Sequence, residues 1–158
     1  MKRVRTFLIV VGAALVLAEA GCSGGDNSLE GSLSSQYDLS FDSVRARQYT
    51  QSRQLSIEYL RGEGSGEEKP ITVTIMPTPD GPGTFTLDAG QINFDNSLAP
   101  GSPELPSATQ GSVDLDVFTP GESGSDISGS IHGMFTNLGT GDAFSLEGSF
   151  ETTLTVMP

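Results

Sequence analysis

Two aspartates that lie two residues apart are the first candidates for chemistry in this chain of 158 residues. Asp114 and Asp116 alternate with Val113, Leu115 and Val117. In a β-strand this spacing puts both carboxylates on one face, about 6.5–7 Å apart. Carboxylates about 5–9 Å apart can hydrolyse glycosidic bonds, one as the acid and the other as the nucleophile or base. The pair therefore makes a carboxylate-dependent hydrolase one hypothesis for the function.

Other kinds of catalytic site lack the residues they need. A nucleophilic triad requires a nucleophile, a base and an acid in mutual reach, and the only histidine is His132, on the polar positions of an alternating segment. Residues 36–158 contain no G-x-S-x-G sequence. One histidine and one cysteine cannot supply the ligands of an ordinary zinc site. We therefore expect His132 to face solvent, and the sequence favours a protein without enzyme activity.

Three aspartates in glycine-rich segments are candidate calcium ligands. Asp80, Asp126 and Asp142 lie in the segments PDGPG, ESGSD and TGDAF. Calcium prefers carboxylate and carbonyl oxygens, which such loops can supply. None of the segments matches the D-x-[DN]-x-[DN]-G loop, so a solvated loop carboxylate is the alternative for each. The sequence indicates no other cofactor.

The single cysteine, Cys22, follows a segment typical of protein export. Lys2, Arg3 and Arg5 precede an apolar run over residues 7–18, broken only by a glycine. A positive start and a short apolar core are typical of a secretory signal peptide, and the run is shorter than the roughly 20 residues of a membrane span. An exported chain with one cysteine has no disulfide partner, so the position of this thiol needs another explanation.

The sequence Ala20-Gly21-Cys22 resembles the end of the lipobox of bacterial lipoproteins, although Glu19 stands where an aliphatic residue is usual. The resemblance covers the signal segment alone. It implies that residues 1–21 are removed, that Cys22 is acylated, and that the lipid bilayer is a partner of the protein. Ser23 after the cysteine implies the outer membrane. The alternative is cleavage after Ala20 at an A-x-A site, which would release a periplasmic or secreted protein.

The mature chain is strongly acidic. Residues 22–158 keep five of the eight cations and nineteen of the twenty carboxylates, a net charge of −14. All five cations lie between Arg45 and Lys69. Such a surface repels phosphates and anionic lipids, so we expect no nucleic-acid partner.

Apolar and polar residues alternate with period two from residue 36 onward, most clearly over residues 143–156. Alternation of this kind is typical of antiparallel strands with one buried face, and segments rich in glycine and proline separate the runs. We predict an all-β domain over residues 36–158, an antiparallel β-sandwich of seven or eight strands, with a small β-barrel as the second choice.

Two further segments have distinct predictions. Residues 22–35, rich in glycine and serine, predict a flexible tether between the lipid and the domain. Residues 95–110, with three prolines and no periodicity, predict a long loop that is functional or loosely ordered. Three strand segments open with Gly-Ser, at residues 111, 129 and 148, and we interpret these glycines as relief of crowding.

Taken together, these features predict a membrane-tethered lipoprotein of the cell envelope with a structural or binding role. A soluble periplasmic or secreted adhesion-type β-module, stabilised by calcium, is the alternative. A carboxylate-dependent hydrolase is the third hypothesis.

Overall fold

The computed structural model describes residues 27–95 and 106–158. Nine strands follow one another along the chain: β1 Ser28–Glu30, β2 Ser43–Tyr49, β3 Gln54–Arg61, β4 Glu68–Ile75, β5 Gly83–Leu87, β6 Ile92–Asn93, β7 Ser107–Val117, β8 Asp126–Thr136 and β9 Ala143–Met157. Two short 3-10 helices lie at Ser32–Ser35 and Gly64–Gly66. Neither of these helices has the length and the apolar character that crossing a bilayer requires.

All nine strands belong to one mixed sheet that curls into a nearly closed barrel. The strand order is β5-β7-β8-β9-β2-β3-β4-β6, and β1 pairs with β9 beside this path. The pairing of β2 with β9 is parallel, and the other pairings are antiparallel. The sheet does not pair between the two ends of this strand order, but the ends lie close together. Ile92 of β6 packs against Gly111 of β7, and its Cδ1 lies 2.7 Å from the position that a Cβ on residue 111 would occupy.

The predicted all-β class is confirmed, and the predicted sandwich is wrong. A sandwich needs two sheets that face each other, whereas here one continuous sheet surrounds a single core. The small barrel describes the fold. Alternation of apolar and polar residues could not separate the two, because both architectures bury one face of every strand.

The interior is filled by the apolar residues of the alternating strands. In β9, Leu146, Phe150 and Leu154 point inward and are buried, while Glu147 and Glu151 are exposed on the outer face. Glycines allow neighbouring strands to approach each other closely around this core. A Cβ on residue 129 of β8 would stand 2.0 Å from the carbonyl oxygen of residue 114, which confirms that this glycine relieves crowding.

Strand β9 has two different neighbours along one edge. Residues 147–149 pair with β1, and residues 154–157 pair with β2. Between these stretches, side chains replace the missing strand. The Tyr59 hydroxyl donates a hydrogen bond to the Ser149 carbonyl oxygen (2.9 Å), and the Glu151 N–H donates to Asn27 Oδ1 (2.6 Å). Both bonds give backbone groups of β9 a side-chain partner between the stretch paired with β1 and the stretch paired with β2.

The segment predicted as a tether differs from the prediction where the structure describes it. Residues 28–30 form β1, the next residues form a 3-10 helix, and Leu33 is completely buried. The described domain therefore begins before residue 36, and only residues 22–26 of the predicted tether lie outside the described residues. The glycine and serine content suggested flexibility, but Leu29 and Leu33 supply the apolar contacts that fix the segment.

Residues 36–42 continue from this segment into the core without forming a strand. Tyr37 and Leu39 are buried, as their alternation predicts. The single proton of the Tyr37 hydroxyl is shared between the carbonyl oxygens of Pro70 (3.2 Å) and Asp95 (3.0 Å). The predicted long loop falls mostly on residues 96–105, which lie outside the described residues, and residues 107–110 already belong to β7.

We predict that Leu33→Ala lowers the free energy of unfolding by about 2–4 kcal/mol, because it removes a fully buried side chain from the core. Urea unfolding followed by circular dichroism measures the change. The matched control is Leu138→Ala, since Leu138 is 82% exposed and its loss should cost less than about 0.5 kcal/mol. Equal stability of the two variants would mean that residues 28–35 form a tether after all.

Candidate functional site

The outer face of strands β7, β8 and β9 contains a row of side chains capable of chemistry. Ser112 of β7 is the cross-strand partner of His132 of β8, and His132 is the partner of Glu147 of β9. Direct partners have Cβ atoms about 4.5–5.5 Å apart, so the three side chains are neighbours. They line an open depression of about 350 Å³, together with Thr86, Gln110 and Met134. We call this the β7–β9 depression.

The β7–β9 depression combines the residue types of a nucleophilic triad without their hydrogen bonds. The structure shows no side-chain hydrogen bond between the described residues Ser112, His132 and Glu147, and His132 is exposed, as predicted. Because β8 is paired along both edges, its backbone N–H groups are committed to the ladder and cannot form an oxyanion hole. The arrangement can bind a ligand through hydroxyl, imidazole and carboxylate groups, with Met134 as an apolar contact.

The pair Asp114 and Asp116 lies on the outer face of β7, near one end of the strand. The Asp114 carboxylate accepts a hydrogen bond from the Thr84 hydroxyl of β5. Asp116 is exposed, and the register of β7 with β8 shifts beside it. Neither carboxylate lines the β7–β9 depression. The structure therefore places the pair on an open strand face.

The three calcium candidates lie at two ends of the barrel. Asp80 follows β4 and Asp126 begins β8, at the end where β7 finishes, whereas Asp142 precedes β9 at the opposite end. Asp142 accepts a hydrogen bond from the Thr140 hydroxyl (2.7 Å) within its own turn. Within residues 27–95 and 106–158, no group of three or more His, Cys, Asp or Glu side chains could hold a metal ion.

Among the described residues, a buried carboxylate on β3 lies at the centre of an ionic network that the sequence did not predict. The Glu58 side chain is 5% exposed although it lies on the outer face of the sheet. Lys69 Nζ donates to its Oε1 (2.8 Å), and Arg45 Nε donates to its Oε2 (2.8 Å). The remaining donors of Arg45 bind both oxygens of Glu67, at 2.8 and 2.9 Å. Arg47 lies 3.9 Å from Glu58.

This network decides the ionisation of Glu58. Burial of the carboxyl group by itself raises its pKa, but the hydrogen bonds from Lys69 and Arg45 outweigh burial and leave the pKa of Glu58 below its ordinary value. The bidentate bond from Arg45 likewise lowers the pKa of Glu67. The clustering of all the domain's cations between Arg45 and Lys69 was the signal in the sequence. This pattern did not identify Glu58 as the partner of the cations, because Glu58 is one of nineteen acidic residues in residues 22–158.

The network also sets the electrostatics of the remaining surface. Arg45, Lys69 and Arg61 have carboxylate partners on or beside strands β2–β4. Strands β5 to β9 carry no lysine or arginine, so the wall around the β7–β9 depression is left with carboxylates alone and His132. A ligand of the depression would therefore be neutral or cationic.

Cys22, the predicted lipidation site, lies outside the described residues. Comparison of the chain with protein-family models, with curated proteins and with solved structures finds no match. The functional interpretation consequently rests on the chain's own residues.

We predict that Glu58→Gln lowers the free energy of unfolding by about 2 kcal/mol at neutral pH, because it weakens charge-assisted hydrogen bonds from Arg45 and Lys69. A lowered pKa stabilises the fold above the unfolded value of about 4.3, and this stability is lost as the pH falls through the folded value. The difference between the two proteins should therefore shrink below about pH 4. Urea unfolding at several pH values tests this.

The control for this experiment is Glu63→Gln, an exposed position in the turn before β4, which should leave the unfolding curve unchanged. A difference between Glu58→Gln and the wild type that stays constant from neutral to acidic pH would contradict an ionic role for Glu58.

We predict that calcium has no effect on stability, because Asp80, Asp126 and Asp142 do not meet at one place. The melting temperature in millimolar calcium should equal that in excess chelator. A higher melting temperature with calcium, abolished by Asp126→Asn, would reinstate the calcium-stabilised module.

Proposed function

We propose that this chain is a lipid-anchored protein of the bacterial cell envelope, held at the outer membrane through Cys22, and that its barrel has a structural or binding role there. The observation that carries the proposal is the position of the only cysteine. Cys22 comes directly after an export-type segment and five residues before Asn27, the first residue that the structure describes. Two or more acyl chains on such a residue are enough for stable membrane attachment.

A binding role at the outer surface is supported by how the barrel is filled. Its interior is occupied by buried apolar side chains and by the segment around Leu33 and Tyr37. A ligand would therefore meet the outer wall, where the β7–β9 depression offers Ser112, His132 and Glu147. Because this wall lacks lysine and arginine, the favoured partner chemistry is a neutral, hydroxyl-rich molecule or a cationic group.

The second candidate is a soluble periplasmic or secreted protein. The sequence Ala18-Glu19-Ala20 supports it, because signal peptidase recognises small residues at these spacings. The two candidates share the barrel and differ in the mature N-terminus alone, which makes them separable by one measurement.

We predict that the protein purified from cell membranes starts at Cys22 and carries the mass of at least two acyl chains, because a cysteine at the signal exit is the acceptor for lipid. Mass spectrometry of the N-terminal peptide measures this. Cys22→Ser should move the protein from the membrane fraction to the soluble fraction, whereas the exposed control Ser52→Ala should leave it in the membrane fraction. An unmodified N-terminus at Gly21 would establish the soluble candidate instead.

A further inference from the structure

We infer that the barrel rests on the membrane with one particular end, which we call the loop end. It comprises residues 50–53, 76–82 and 118–125 together with Met157. The inference rests on the proposed lipid anchor and adds the orientation of the domain and the surface that contacts lipid.

The loop end is one continuous surface. The Thr78 N–H donates to the Arg53 carbonyl oxygen (2.7 Å), which joins the β4–β5 loop to the β2–β3 turn. The Thr50 N–H donates to the Met157 carbonyl oxygen (3.0 Å), which joins that turn to the end of β9. The loop between β7 and β8 runs beside the same part of β9, because the Gly124 N–H donates to the carbonyl of residue 154 (2.7 Å).

Large apolar side chains are exposed at this end. Met76 is 54% exposed and Met157 is 36% exposed, and Val117, at 46%, immediately precedes the β7–β8 loop. Flexible methionine side chains suit a soft and irregular contact such as the boundary between headgroups and acyl chains. Among the described residues, the most exposed large apolar side chain, Leu138, belongs to the hairpin at the opposite end and supplies the natural comparison.

The direction of β1 places the anchor toward the loop end. Because β1 is antiparallel to β9, the chain before Ser28 leaves toward the end of the barrel where β9 finishes. Asn27 is level with Glu151, six residues before Met157. Six residues of strand cover about 20 Å, or about 15 Å along the barrel axis after a tilt of about 40°. Five residues of linking chain reach at most about 17 Å, enough for Cys22 to meet the plane of the loop end.

The charges at the loop end indicate which lipids it fits. Asp80 and Glu122 are exposed in these loops, Asp116 and Asp126 are exposed where β7 ends and β8 begins, and Arg53 is the cation. Anionic headgroups would repel these carboxylates, so the partner is a zwitterionic lipid surface. The carboxylates also keep the contact at headgroup depth, because a charge inside the hydrocarbon core is costly.

Lipidated protein with one added cysteine tests the orientation. Lipidation consumes the Cys22 thiol, so Met76→Cys, Met157→Cys and Leu138→Cys each carry one free thiol for an environment-sensitive fluorophore. The purified proteins are reconstituted on phosphatidylcholine vesicles that contain a spin-labelled phosphatidylcholine as quencher. We expect quenching at positions 76 and 157 to exceed quenching at position 138 by at least about twofold. The reason is that the first two side chains would lie at headgroup depth, whereas the side chain at 138 would point into water.

Three other outcomes would overturn the inference, and they distinguish failure of the orientation, failure of the anchor and contact with a second copy. Stronger quenching at 138, or equal quenching at all three positions of vesicle-bound protein, would refute the orientation and leave the anchor intact. Failure of all three proteins to sediment with vesicles would refute the anchor itself. A change of emission at 76 and 157 that follows protein concentration without vesicles would show that a second copy, rather than lipid, covers the loop end.

Discussion

The hydrogen bonds of one long strand control the organisation of this barrel. β9 spans Ala143–Met157 and needs partners along both edges, because buried backbone groups without partners are costly. β8 supplies one edge from Ala143 to Thr153, but β2 covers only the last part of the other, where the two strands are parallel. The N-terminal segment supplies the rest as β1, and the Tyr59 hydroxyl and the Asn27 side chain bridge the interval. This requirement draws residues 28–35 into the fold.

The same arrangement separates the two sides of the barrel chemically. Strands β2–β4 carry the domain's cations, and most of these are bound to carboxylates around Glu58 and beside Arg61. The wall of β5, β7, β8 and β9 carries acidic residues and no lysine or arginine, and its depression contains Ser112, His132 and Glu147. A filled interior and an acidic outer wall support the proposed binding role at the outer surface of the barrel.

The sequence predicted what depends on periodicity and missed what depends on long-range pairing. Alternation identified the inward residues of β9 and the burial of Tyr37 and Leu39, because side-chain direction follows local backbone geometry. It could not predict whether the sheet closes on itself, since closure depends on which distant strands pair. Composition alone suggested a tether at residues 22–35, where Leu33 is in fact a core residue. The partners of Glu58 come from the two neighbouring strands β2 and β4, and no local pattern connects them.

Hydrogen–deuterium exchange of the native protein tests most directly whether the N-terminal segment belongs to the barrel. The account predicts slow exchange at the amides of β1 and of Tyr37, whose N–H donates to the Leu33 carbonyl oxygen, at rates near those of the paired residues of β9. Exchange of residues 28–37 at the rate of an unstructured peptide, while β9 stays protected, would contradict it.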